Sequence, residues 1–456
     1  MKYLTSTLKL SLISFIILNF LFNLIKKEII IFFNTYDLVL SILLFSLIYF
    51  VAVEIRIALD LQNTSLAIVL FIMSFFIFEN IFQLFFSNYT FNINFLVTNI
   101  FWIFFLIYKN LRFYKIFRFV GIFLILRIFR KYFFIDLTIN INLRGDVKEY
   151  FFLHAKNIFE NSYSYSIKNP IIEGYPQFSS YLQDVITQFL LPAGEYVYLI
   201  SSTLVLLLIS VFVIYEIIDI PELRILIITL YTSLILNSDY LQFLFVSSLM
   251  SEGIITLVTV IIFYNLSKFY ENNNVTNVVV FFLAGNLYFA KQFTSFIIVL
   301  LCLYFLYKKY YKFSLLIGSG ILLKELSFLL IFKNITKSHH LSQIDIQDTI
   351  FDLILFRDLN LLNIFEILNN LFKDIPMTII TITFLVSVVS LIIQRKLDYS
   401  TVFLISIFTL NVIFVFILYI SAWRGMELDS PIRFIYTYLL IQLIVIGKSF
   451  ELEKKF

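Results

Sequence analysis

Asp146, Glu149, Tyr150 and His154 recur at three- and four-residue spacing in the stretch Arg144 to Lys156. That spacing puts side chains on one face of a helix. Asp146 would open the helix, where a carboxylate suits the positive end of the helix dipole. A carboxylate there can deprotonate a hydroxyl brought beside it, or it can serve only as a cap. The stretch alone favours neither role. Tyr175 precedes Pro176 in Gly174-Tyr175-Pro176-Gln177-Phe178, which biases it to extended backbone and a rigid turn. Glu252 in Ser251-Glu252-Gly253 and Lys291 in Ala290-Lys291-Gln292-Phe293-Thr294 each interrupt apolar sequence. They read as ligand-binding groups, as an ion pair with each other, or, for Glu252, as a carboxylate reaching to water. Arg433 follows Asp429-Ser430-Pro431-Ile432. Its planar fork of donors matches phosphate oxygens, and it can equally pair with Asp429 four residues earlier.

These residues stand out because of what surrounds them. Of 456 residues, 61% are hydrophobic and only 14% carry charge, against about 45–50% and about 25% in soluble domains, and the mean hydropathy is +0.94. Soluble enzymes, nucleic-acid binders and disordered chains are excluded, and lipid is the expected solvent. An ionisable residue in an apolar span costs about 2.5–3.5 kcal/mol on insertion scales, so each needs a reason. The single cysteine, Cys302, and three histidines, His154, His339 and His340, leave no disulfide framework and no thiolate or imidazole metal cluster to expect.

The elements that would position these residues are membrane helices. Apolar runs near bilayer length fall at roughly 8–25, 36–53, 65–87, 91–108, 114–129, 195–218, 223–237, 246–267, 276–290, 293–308, 313–332, 374–394, 401–420 and 431–447. The expected fold is therefore an all-α polytopic membrane protein of about 12–14 transmembrane helices. Residues 1–130 form N-terminal transmembrane helices, 131–196 a large outer loop with amphipathic helices, and 197–456 a C-terminal bundle with a second outer loop at 333–373. The first run reads as a retained helix, since no small-residue cleavage pattern follows it. Basic clusters at Lys109 to Arg118, Lys308 to Lys312, Arg395-Lys396 and, closing the chain, Lys448 to Lys455 put three loops and both termini on the cytoplasmic face. Lys26-Lys27 and Arg130-Lys131 oppose that assignment. Asp146, Glu252, Lys291 and Arg433 then share the outer side.

The order of these features resembles the GT-C superfamily of membrane glycosyltransferases. Asp146 to Glu160, with Tyr150, Ala155-Lys156 and Ile158-Phe159-Glu160, is similar to the first-loop helix of bacterial members related to the dolichyl-phosphate-mannose protein mannosyltransferases. Gly174-Tyr175-Pro176 resembles their Tyr-Pro step, Ser251-Glu252-Gly253 their Ala-Asp-Leu-Pro step, Ala290 to Thr294 their Thr-Lys-x-Glu-Gly step, and Ser430 to Arg433 their late Ser-x-x-Arg motif. Five helices precede Asp146 where those proteins place one, and Phe293 stands where they carry Glu. The resemblance implies an inverting transferase that takes a sugar from a polyprenyl-phosphate carrier to a lipid, glycan or protein acceptor. It implies the periplasmic face of a bacterial inner membrane and neither cofactor nor metal. Asp146 is the implied base. Lys291 and Arg433 would hold the departing lipid phosphate, with Glu149, Tyr150, His154, Tyr175 and Glu252 lining the substrates. A secondary transporter, an O-antigen-type polymerase or ligase, and a non-catalytic membrane protein are the rival readings.

Overall fold

The computed structural model describes residues 35–85, 91–109, 120–125, 156–158, 161, 178–189, 205–237, 251–288, 290, 292–331, 375–421 and 438–454. Every regular element among them is an α-helix. In chain order these are α1 (Thr35–Leu59), α2 (Thr64–Phe85), α3 (Phe91–Tyr108), α4 (Phe178–Gln188), α5 (Leu206–Ile217), α6 (Pro221–Asn237), α7 (Ser251–Ser267), α8 (Asn274–Asn286), α9 (Gln292–Tyr307), α10 (Tyr311–Ile331), α11 (Ile375–Ile393), α12 (Tyr399–Ser421) and α13 (Leu439–Lys454). All but α4 overlie apolar runs expected to be helices. Two, over Ser41–Leu59 and Thr64–Phe82, are long and apolar enough to cross a membrane by length and composition. Shorter apolar stretches of 10–17 residues are described within α3, α5 and α7 to α12.

Helix α2 is the hub, packed by α1, α3, α4, α5, α7, α8 and α10. Its apolar side chains are buried almost all round, Leu66, Phe71, Phe75, Phe76 and Ile77 among them. The closest approach is between α8 and α10, where glycine allows backbone to meet backbone. A Cβ on Gly320 would lie 2.7 Å from the Phe282 carbonyl oxygen, and one on Gly285 would overlap the Ile317 carbonyl.

The loops at one end of the bundle are tied together by side chains that satisfy helix termini. The Glu216 carboxylate, at the end of α5, accepts from the Thr64 and Ser65 N–H groups at 2.5 and 2.9 Å, neutralising the positive start of α2. Glu451 in α13 accepts from Asp219 and Ile220 N–H at 2.5 and 3.0 Å, just before α6. Asn63 donates to Asn265 Oδ1 at 2.6 Å, Asn273 to the Asp60 carbonyl at 2.6 Å, and Ser267 bonds Ser400 at 3.0 Å. Asn273 and Asp398 cap α8 and α12 by accepting from Thr276 and Thr401 N–H.

Three helices reach this end through the same chain reversal. Asp60, Lys309 and Arg395 have φ of 54°, 62° and 53°. The next residue in each case bonds the carbonyl five residues back, Leu61 to Arg56, Tyr310 to Phe305 and Lys396 to Leu391, at 2.9, 2.9 and 3.0 Å. These are Schellman closures, which ordinarily place glycine in the left-handed position. A chain with only ten glycines places charged residues there, two of them cations that suit the negative end of a helix.

Candidate functional site

Counting residues along the helices from the tied end locates the opposite one. Asn63 and Asn265 are in contact, so Glu79, sixteen residues up α2, and Glu252, thirteen residues back along α7, have backbones at heights of about 24 and 20 Å at 1.5 Å per residue. Gln292, fifteen residues before Tyr307 in α9, stands at a similar height of about 22 Å. Helix α4 packs against both α2 and α7 and so bridges this level.

Here the core turns polar. Glu79, Asn80, Asn94, Thr98, Tyr181 and Asp184 are all fully buried, and Gln188 nearly so. The Asn94 amide nitrogen donates to Glu79 Oε2 at 2.9 Å, lies 3.0 Å from the Phe75 carbonyl oxygen, and also meets the Tyr181 hydroxyl. The Tyr181 hydroxyl donates to Phe75 O at 3.0 Å, with Glu79 Oε2 3.3 Å away. Thr98 donates to Asn94 Oδ1 at 3.2 Å, which fixes the amide's orientation. One helical turn lower, Trp102 Nε1 donates to Ser74 Oγ at 2.8 Å.

Each member is delivered by local sequence. Asn94 and Thr98 are four residues apart on α3. Tyr181, Asp184 and Gln188 follow i, i+3, i+7 on α4, so they form one face. Aromatic rings close the cluster from the side: Phe95 stacks on Phe75 at 5.2 Å and meets Phe189 edge-on at 4.9 Å, and Tyr181 meets Phe76 edge-on at 5.4 Å. Chemically this is a carboxylate held by neutral donors in a surround of low polarity, with a second carboxylate, Asp184, on the same bridging helix. A group of this kind exchanges a proton with a hydroxyl or binds a cation when one is admitted. Among the described residues no three His, Cys, Asp or Glu side chains come together as a metal ion would require.

The residues expected from sequence fall unevenly on this frame. Asp146, Glu149, Tyr150, His154, Tyr175, Lys291 and Arg433 lie outside the described residues. Glu252 contributes its backbone to the first turn of α7, at the level of the buried cluster, and Ala290 and Gln292, which flank Lys291, belong to the same end. Sequence reasoning passed over Glu79, although it sits inside the apolar run 65–87 and meets the same test of a charge in an apolar span. It also passed over Asn94 on α3, and over Tyr181 and Asp184, whose only local signal is the i, i+3, i+7 pattern of α4. Comparison with family models, with curated proteins and with solved structures finds no match to this chain.

Proposed function

We propose that the chain is a many-spanning membrane protein that transfers a sugar from a polyprenyl-phosphate carrier, with its chemistry at the end of the bundle where α4 is inserted. Membrane placement is supported by the outer faces of the helices. Ile93, Leu96, Ile100, Phe104 and Ile107 form an exposed apolar stripe on α3, and Ile379, Ile382, Val386, Val389 and Ile393 another on α11, with Phe104 67% and Ile393 74% exposed. These stripes flank a core that is already apolar, and water does not tolerate continuous faces of this kind. Lipid does, so a bilayer is the solvent that these faces fit.

The observation that carries the functional reading is the buried polar cluster of Glu79, Asn94, Tyr181 and Asp184. It shares the level of the Ser251-Glu252-Gly253 step and the Ala290–Gln292 step, both of which carry the GT-C resemblance. In the proposed reaction Asp146 takes the proton of the acceptor hydroxyl, whose oxygen forms a bond to the anomeric carbon. The bond from that carbon to the phosphate oxygen breaks with inversion, and Lys291 and Arg433 stabilise the charge gathering on the leaving phosphate. Glu149, Tyr150, His154, Tyr175 and Glu252 line the sugar and acceptor. The site would face the periplasm of a bacterial inner membrane, with polyprenyl-phosphate sugar and membrane lipids as partners and no nucleic acid.

The test uses the full chain in native-like membranes with polyprenyl-phosphate-linked hexoses as donors, reading release of free polyprenyl phosphate. Asp146→Asn is expected to abolish release while the protein stays inserted, and undiminished release by that variant overturns the assignment. The full burial of Glu79 inside a spanning helix favours one second reading, a carrier coupled to a proton or cation. In that case Glu79→Gln abolishes gradient-driven uptake and Asp146→Asn is silent.

A further inference from the structure

We propose that the turn joining α9 and α10, together with the outward faces of those helices, is a binding site for an anionic phospholipid in the leaflet at the tied end of the bundle. The inference rests on the membrane placement above and is independent of the transferase chemistry.

The turn presents Lys308, Lys309 and Lys312, all exposed. None of the three has a carboxylate within ion-pair distance among the described residues, and their only close partners are rings. Lys308 lies 5.9 Å from the Tyr304 ring and 5.8 Å from the Tyr307 ring, and Lys312 lies 5.9 Å from the Phe313 ring. Several other cations at this end are compensated. Lys448 pairs with Glu451 at 2.6 Å and Asp219 at 3.5 Å, and Lys268 with Glu271 at 4.0 Å. Arg224 donates to the Ile218 carbonyl at 2.8 Å and covers the Tyr215 ring at 4.2 Å. This turn therefore gathers three exposed lysines without a carboxylate partner among the described residues within five positions of the chain.

The turn is also rigid. The Schellman closure at Lys309 bonds Lys309 N–H to Leu306 O and Tyr310 N–H to Phe305 O, both at 2.9 Å, and Phe313 N–H bonds Tyr310 O at 3.0 Å. Tyr310 is braced against Phe269 at 5.3 Å. The three ammonium groups thus spring from a fixed backbone rather than a loose loop, which lowers the ordering cost of binding.

What lies beneath the lysines selects a lipid rather than a soluble anion. Phe296, Val299, Leu303 and Leu306 form an exposed stripe along α9, and Leu315, Leu322 and Leu326 another along α10, with Leu303 55% and Leu315 73% exposed. From Phe296 to Leu306 the stripe rises about 15 Å at 1.5 Å per residue, which is half of the roughly 30 Å hydrocarbon core and so the depth of one leaflet. Tyr307, 80% exposed, stands between stripe and lysines at the headgroup level, where tyrosine is favoured. Acyl chains on the stripe and an anionic headgroup at the turn satisfy both parts at once. A free phosphate would leave the apolar faces unused, and an acidic soluble segment would not reach them.

The full chain is purified and reconstituted in nanodiscs of phosphatidylcholine alone or mixed with phosphatidylglycerol, and the lipid that stays bound after detergent exchange is counted by native mass spectrometry. Wild-type protein is expected to retain phosphatidylglycerol. Lys308→Gln, Lys309→Gln and Lys312→Gln together are expected to reduce the preference for it roughly tenfold to a hundredfold, from about 1 kcal/mol per lysine near an anionic surface. The triple variant's melting temperature in phosphatidylcholine should be unchanged, since no ion pair is lost. Removing three charges elsewhere at this end, by Lys109→Gln, Arg395→Gln and Lys396→Gln, is expected to leave the bound lipid in place. Equal loss in both variants, no preference for phosphatidylglycerol in wild type, or displacement of the lipid by inorganic phosphate alone overturns the site. Release of the chain from its membranes by alkaline carbonate would instead overturn the membrane placement, and the proposal with it.

Discussion

At the scale of single residues, the most constrained atom group is the Asn94 side chain. It links α3 to the Glu79 carboxylate of α2 and the Tyr181 hydroxyl of α4. Burying these groups without partners is costly, whereas satisfied they specify one packing. Asn94→Leu removes the donor while filling the space, which leaves Glu79 and Tyr181 each short of a bond. A loss of about 1–3 kcal/mol is expected from an uncompensated buried polar group, more if the carboxylate stays charged. Asn94→Asp, with Glu79 unchanged, should be worse still, since it sets a second carboxylate 2.9 Å from the first in place of the donor. Thermal unfolding in detergent, followed by circular dichroism, checks the order wild type above Leu above Asp; an Asp variant as stable as wild type would refute it. Glu79 was readable in the sequence, because a charge inside an apolar run is visible without a structure. Tyr181 and Asp184 were not, because nothing local distinguishes a helix that lies over a bundle from one inserted into it. Their burial is decided by α2 and α7, far away in the chain.

At the scale of elements, hydropathy predicts where helices run, while their close approaches depend on which residues face each other. Gly318 and Gly320 are two positions apart in α10, and nothing in the local sequence tells them apart. In the folded chain, a Cβ on Gly318 meets nothing within 4 Å, whereas one on Gly320 meets the Phe282 carbonyl oxygen at 2.7 Å and the Asn286 backbone nitrogen at 3.0 Å. The two alanine substitutions should therefore differ in sign. Gly318→Ala is expected to stabilise by up to about 1 kcal/mol, through reduced freedom of the unfolded chain and better helix propensity. Gly320→Ala forces α8 and α10 apart and is expected to cost about 1–3 kcal/mol. Paired melting curves of the two variants test this, and equal shifts would mean that the helices do not approach at Gly320. The termini follow the same division. Asp398 three residues before Thr401 is a local cap that can be read from sequence. Glu216 holding the start of α2 comes from 152 and 151 residues away in the chain and cannot.

At the scale of the whole molecule, loop charge and backbone geometry lead to one arrangement by separate routes. The basic clusters assign the turns near residues 109, 309 and 395 and the C-terminal segment to one face by charge alone. Hydrogen bonds then tie turns of little net charge to that same end: the turn at 60–63 to the 268–273 turn, and the 218–220 turn to α13. In the proposed membrane placement, that end is the cytoplasmic one. With Cys302 replaced by serine, single cysteines are introduced in place of Glu271, Lys309 and Arg395, all on described turns. Each is expected to resist a membrane-impermeant maleimide in intact spheroplasts and to react once the membrane is opened. Because the 268–273 turn contacts both α1 and α12 through Asp60 and Ser400 neighbours, the three positions must behave alike. One of them reacting from outside while the others are protected would break the bundle as described. All three reacting from outside would keep the bundle but invert it, moving the Glu79 cluster and the Glu252 step to the cytoplasmic side and removing the ground for a periplasmic transferase.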